Sequence, residues 1–223
     1  IIRKSTQEVD GGNLLRLRMN DELLNCVIRL QSLAQAGLTY AKDPFDKERY
    51  LEIRQIASKL LSLKTDVPLK KIEGLFCNES GYQTPKVDTR AALFKDDAIL
   101  LVHENNGTWA LPGGWCDVDQ SIASNTVKEV KEETGLFVKA KRLIAIEDWR
   151  KHNVTNYVYG VLKCFVLCEY LEGSFSPNNE TIETSFFKED ELPLNLAKEK
   201  TTKEQVLMCF RSYRNPSLPT FFD

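Results

Sequence analysis

Two spacings of apolar residues divide the chain. From Asn20 the repeat is helical: Leu23, Leu24, Val27, Ile28 and Leu30 return at three- and four-residue intervals, and Gly37 is placed to stop the run. A second helix is predicted after Asp43-Pro44, because proline suits a first turn, with Tyr50, Ile53, Ile56, Ala57 and Leu60 along it. A third, shorter helix is expected over 69–76. Residues 78–85 contain Gly, Ser, Asn and Pro and read as a linker or turn. Beyond them the period changes to that of strands. Residues 87–94 and 98–103 are predicted to form a hairpin around Lys95-Asp96-Asp97, with further strands over 143–147, 157–169 and 185–188. A closing helix is expected over 201–213. The pattern divides the chain into a loose tail over 1–19, a helical unit over 20–80 and a mixed α/β domain over 81–223.

Composition changes this picture little. At 223 residues the chain can hold one large domain, or one domain with an appendage, and its net charge of −2 comes from interspersed acids and bases. That distribution disfavours nucleic acid as a partner, since such partners select basic patches. No run approaches the roughly 20 apolar residues that cross a bilayer, so no membrane association is expected. The opening Ile-Ile meets charge at once, which argues against a secretory signal, and a cytoplasmic location is expected. The six cysteines are scattered, without CxxC pairs, beside two histidines. Cys164 and Cys168 share one face of a strand and are expected to be buried, reduced thiols.

Residues 113–136, GGWCDVDQSIASNTVKEVKEETGL, carry the chemistry. Ser121 is a good N-cap and Gly135 a good stop, so a helix is predicted to about Thr134. Glu129, Glu132 and Glu133 then fall on one face, with Ala123, Val127 and Val130 turned towards a core. Like charges at this spacing repel, and acids in the last turns oppose the helix dipole by about 0.3–1 kcal/mol each. A solvated acidic face is one reading of such a run. The other is a divalent cation, Mg²⁺ or Mn²⁺, that removes the conflict through hard oxygen ligands.

The segment resembles the Nudix box, Gly-x5-Glu-x7-Arg-Glu-U-x-Glu-Glu-x-Gly-U, where U is a bulky aliphatic residue. Gly114, Glu129, Val130, Glu132, Glu133, Gly135 and Leu136 take their places at the right spacing, whereas Gln120 stands for the first Glu and Lys128 for Arg. Residues 35–57, 78–94 and 186–206 are also similar to a bacterial Nudix subgroup with a helical N-terminal extension, which includes CDP-choline pyrophosphatases and proteins labelled ADP-ribose pyrophosphatases.

The resemblance implies an α/β/α sandwich with a mixed sheet, preceded by a small helical domain that supports a homodimer. It implies metal-dependent hydrolysis of the diphosphate linkage in a small nucleoside diphosphate derivative, CDP-choline-like or ADP-ribose-like. The products would be a nucleoside monophosphate and a phosphorylated group. Gly114, Glu129, Glu132 and Glu133 are the expected metal site, with Asp117 or Asp119 able to contribute. Glu132 or Glu133 would orient or deprotonate water, and Glu180 and Glu183 are candidate bases outside the box. Arg90, Lys128, His152 and Tyr40 are candidate substrate contacts. Arg90 would clamp phosphate or form a salt bridge. Tyr40, Phe45 and Tyr50 would line a site at a dimer boundary or pack the helical unit. Two other functions compete: an RNA 5′-end pyrophosphohydrolase, and a non-catalytic nucleotide sensor to which Gln120 points.

Overall fold

The computed structural model describes residues 11–64, 69–76, 81–153, 160–177 and 181–223, with backbone alone for 11–21, 71 and 74–76. The chain divides into two compact units, residues 1–84 and 85–223.

The first unit holds α1 (Gly11–Tyr40), α2 (Pro44–Lys64) and α3 (Leu69–Phe76). Part of the expected tail, residues 11–19, is therefore helical. Its Leu, Arg and Met residues are strong helix formers that extend α1 backwards. Gly37 does not end α1. It lets the Tyr50 ring of α2 press on the helix, where a Cβ would come within 2.4 Å of the ring. Asp43 caps α2, its carboxylate accepting from Phe45 N at 2.8 Å and Asp46 N at 3.1 Å. Val27, Ala34, Ala57, Leu61 and Ile72 are buried, and the buried Gln31 donates to Gln35 at 3.2 Å. Leu23, Leu30, Leu33, Leu51, Ile56 and Leu63 remain exposed.

The second unit is built on one mixed sheet. Its strands are β1 (Lys86–Lys95), β2 (Ala98–Glu104), β3 (Trp109–Ala110), β4 (Leu136–Asp148), β5 (Val161–Gly173), β6 (Thr181–Phe187) and β7 (Phe221–Phe222). They run β3-β2-β1-β5-β4-β7, with β6 paired to β2. β1 lies parallel to β5, and β5 antiparallel to β4. Asp96 and Asp97 turn the β1–β2 hairpin at φ 50° and 56°, a conformation that aspartate tolerates. Helices α4 (Ile122–Thr134), α5 (Trp149–His152) and α6 (Lys203–Arg214) complete the unit, with a 3-10 turn at Glu189–Glu191.

Alternation along the strands makes two cores. Ala92, Ile99, Leu101 and Phe165 pack with Val206, Cys209 and Phe210 of α6. Ala91, Leu93, Leu100 and Val166 point the other way, onto Val130 of α4. The expected α/β/α sandwich follows. Ala123, expected on the core side of α4, is exposed; Ile122, Asn125 and Thr126 turn inward there instead. No described helix is long and apolar enough to cross a membrane.

Candidate active site

Two structures fix the acidic helix. At its start, Ser121 and Ser124 form a reciprocal capping box: Ser124 N donates to Ser121 Oγ at 3.1 Å, and Ser121 N to Ser124 Oγ at 2.9 Å. At its end, Gly135 adopts φ 72° and its N–H donates to Lys131 O at 2.9 Å. With Val130 buried against the sheet, the next face carries Glu129, Glu132 and Glu133 towards the loop before the helix.

That loop is strapped along β1. Ala91 N donates to Pro112 O, Thr89 N to Gly114 O and Cys116 N to Val87 O, each at 2.8 Å. The strap brings backbone so close that a Cβ on Gly113, at φ 141°, would stand 1.9 Å from Thr89 O. Gly113 N then donates to Glu133 Oε2 at 2.8 Å. Gly114 faces Glu129, whose Oε2 would lie 2.7 Å from an added Cβ. Asn125 ties helix to loop: its amide donates to Thr89 Oγ1 at 2.9 Å and Trp115 O at 3.2 Å, and its carbonyl accepts from Asp117 N at 3.2 Å.

The result is a cavity of about 370 Å³ with walls of opposite charge. Asp117, Glu129, Glu132 and Glu133 line one side. Burial pushes the Glu133 carboxyl up to about 7, against the opposing pull of the Arg90 charge and the Gly113 N–H. Burial also raises Glu129, with Lys128 opposing. The Lys128 ammonium stands 3.0 Å from Glu132, 3.1 Å from Asp117 and 3.3 Å from Glu129. Among the described residues no three His, Cys, Asp or Glu side chains stand ready to hold a metal. Lys128 occupies the point where the Asp117, Glu129 and Glu132 carboxylates converge.

The other side holds Asp88, Arg90 and Lys163, all at least nine-tenths buried. Arg90 reaches Asp88 through Nε at 2.9 Å and Nη2 at 2.8 Å, and Leu111 O through Nη1 at 3.2 Å. Lys163 Nζ donates to Asp88 Oδ2 at 2.6 Å. Burial alone would raise the Asp88 carboxyl, but the Arg90 and Lys163 charges hold it below its ordinary value. Trp115, Trp149, Val161, Glu199 and Lys200 complete the walls, Lys200 paired to Glu104 at 2.7 Å.

The fold thus gathers Gly114, Glu129, Glu132, Glu133 and Arg90 in one cavity, with Lys128 against its acidic wall. Two other candidates stand elsewhere in the second unit. Glu183 lies on β6, mostly exposed, 3.5 Å from His103 Nδ1 and off the cavity lining. His152 Nε2 pairs with Asp223 at 2.7 Å and lines a separate cavity of about 520 Å³ between β4, α6 and residues 218–222. Tyr40, at the end of α1, is exposed, as is Phe45. Glu180 lies outside the described residues. Gln120 is half-buried and off the lining, whereas Asp117 is on it. Sequence reasoning missed Asp88, Lys163 and Asn125. The first two left a signal: a charge inside an apolar strand run requires a buried partner.

Comparison with known proteins agrees with this geometry. Residues 84–208 match the model of the NUDIX domain, and residues 21–76 that of a UDP-X-like, N-terminal oligomerisation domain. A Bacillus subtilis strain 168 protein named as an ADP-ribose pyrophosphatase, YjhB, is 36% identical over 93% of this chain and 100% of its own. The crystal structure of a UDP-X diphosphatase is 33% identical with a TM-score of 0.60, over 92% of this chain and 99% of that one. That of an ADP-ribose pyrophosphatase from Streptococcus suis 89-1591 is 53% identical with a TM-score of 0.59, over 63% of this chain and 100% of that one. The NUDIX match covers more than half of the chain, and the chain belongs to the Nudix family. It is a Nudix pyrophosphohydrolase with an N-terminal oligomerisation domain.

Proposed function

We propose that this enzyme hydrolyses the diphosphate linkage of a small nucleoside diphosphate derivative, ADP-ribose-like or CDP-choline-like, with Mg²⁺ or Mn²⁺, releasing a nucleoside monophosphate and a phosphorylated group. The observation that carries this reading is one cavity in which Glu133 and Glu129 meet the Gly113–Gly114 strap, Glu132 joins them in the lining, and buried Arg90 and Lys163 line it too. A diphosphate and its cation need both walls at once. The donor set fits a hard divalent ion: carboxylate oxygens, two of them on acids raised by burial, which a cation would return to the ionised form. Glu129, Glu132 and Glu133 would hold it, with Gly114 against Glu129 and Lys128 giving way. When bound, such an ion neutralises phosphate charge and acidifies water. Glu133, steadied by Gly113 N–H, would orient the attacking water, and Glu132, the most exposed of the three, would accept its proton. Arg90 and Lys163 offset phosphate charge from the far wall. The names of the relatives support a nucleoside-diphosphate-linked substrate, and two of them the ADP-ribose-like choice. The exposed leucines of α1 and α2, together with the oligomerisation-domain match, support a homodimer formed by the helical unit.

The test is product release from ADP-ribose, CDP-choline, a UDP-sugar and a triphosphorylated RNA, each with Mg²⁺, Mn²⁺ or EDTA. AMP or CMP is expected, dependent on metal, and reduced about 10²–10⁴-fold in Glu133→Gln. Turnover that survives EDTA or Glu133→Gln, or that is confined to RNA, overturns the reading.

A further inference from the structure

Arg90 and Lys163 share a buried wall, but their hydrogen bonds assign them different work. The Arg90 guanidinium is anchored through all three of its nitrogens, two on Asp88 and the third on Leu111 O, which uses three of its five N–H donors. Lys163 is held at one point only. An ammonium carries three donors, and among the described residues only one of them has a partner, Asp88 Oδ2 at 2.6 Å. The side chain is 3% exposed and lines the cavity, so water offers little relief from the bulk side. Unmet donors on a buried charge are costly, and a fold keeps them where a ligand will meet them. Within hydrogen-bonding reach one carboxylate is shared by two cations; Glu147 acts on Lys163, and Glu133 and Glu104 on Arg90, from further off.

We infer that Lys163 is an anion subsite: its two remaining N–H groups grip a phosphate oxygen of the bound diphosphate. Arg90 is a positioning residue that locks Asp88, and Asp88 in turn aims the lysine. That the anion belongs to a diphosphate rests on the hydrolase reading; that the wall takes an anion does not. Burial, with the like charge of Arg90, brings the Lys163 ammonium down to about 8, against the opposing pull of Asp88 and Glu147.

The experiment is thermal unfolding of the whole chain in EDTA, with and without inorganic pyrophosphate, alongside steady-state kinetics. Wild type is expected to gain in Tm with pyrophosphate and Lys163→Met to lose that gain. Lys163→Arg should restore part of it. In turnover, Lys163→Met should raise KM about 10- to 100-fold, the range for a hydrogen bond to a charged group, with a smaller change in kcat. A merely structural lysine would lower Tm without removing the pyrophosphate increment or splitting KM from kcat. If Lys163→Met does not fold, Lys163→Gln, which can still donate to Asp88, takes its place. A neutral variant that keeps the wild-type increment and KM overturns the subsite while leaving the hydrolase standing. A wild type with no turnover, whose pyrophosphate increment still depends on Lys163, overturns the hydrolase and keeps the subsite.

Discussion

Gly113 and Gly114 are neighbours that are glycine for different reasons. At Gly113 the backbone is at φ 141° and the obstacle is the Thr89 carbonyl, which belongs to β1 and cannot yield. Gly113→Ala is expected to cost more than about 2 kcal/mol, read by urea denaturation, because strain and clash add. At Gly114 the obstacle is the end of the Glu129 side chain, which can swing away. Gly114→Ala should therefore stay within about 1 kcal/mol of wild type while kcat/KM falls about 10- to 100-fold through the displaced carboxylate. Equal stability losses in the two variants would contradict this division. Which residues were legible follows from distance along the chain. Glu129, Glu132 and Glu133 lie within one helical turn, so their shared face can be counted from the sequence. Asp88 meets Lys163 across 75 residues and Thr89 meets Asn125 across 36, pairings that only the folded sheet creates.

At the scale of elements, α4 has two jobs, to pack on the sheet and to hold its acidic face over the strap, and Asn125 joins them. Asn125→Ala would remove the bonds to Thr89 Oγ1, Trp115 O and Asp117 N at once. A loss of about 1–3 kcal/mol is expected, with a fall in kcat/KM larger than that of Ser121→Ala, which removes only a cap. Denaturation and kinetics on the two variants check it; equal kinetic effects would show that Asn125 is merely a stability residue. The helix was readable because cap, stop and apolar stripe agree. β4 was harder: a strand was expected only over 143–147, yet it runs Leu136–Asp148. Its first half alternates with exposed Lys139 and Lys141, and register shifts near Val138, Arg142 and Ala145 break the two-residue period. β7, two residues paired to β4, is too short to leave a pattern.

The whole molecule supplies two further tests. Light scattering at micromolar concentration should report a dimer, and a monomer would remove the role proposed for the exposed leucines of the helical unit. The second test concerns alkali. Cys164, Cys168 and Cys209 are free and buried in the α/β unit. Burial pushes Cys164 up to about 11 and Cys168 up to about 12, and raises Cys209 as well. An unfolded thiol titrates near 9, so above that pH the unfolded chain releases protons that the native state keeps. The native state then binds more protons, and stability falls as pH rises. Lys163 acts in the opposite sense. Held down to about 8, it binds fewer protons than an unfolded lysine, so its contribution improves from there until the unfolded amine titrates near 10.5. Around pH 8–9 the lysine partly masks the thiols; higher up, three thiols outweigh one amine. A single substitution separates them. Each thiol that must stay neutral contributes about 1.4 kcal/mol per pH unit to the decline, so Cys168→Ala should flatten the slope by that amount between about pH 10 and 11. Urea denaturation of both proteins under reducing conditions gives the two slopes. Parallel slopes would mean that Cys168 ionises in the native state, and the core between β5 and α4 would then have to admit water.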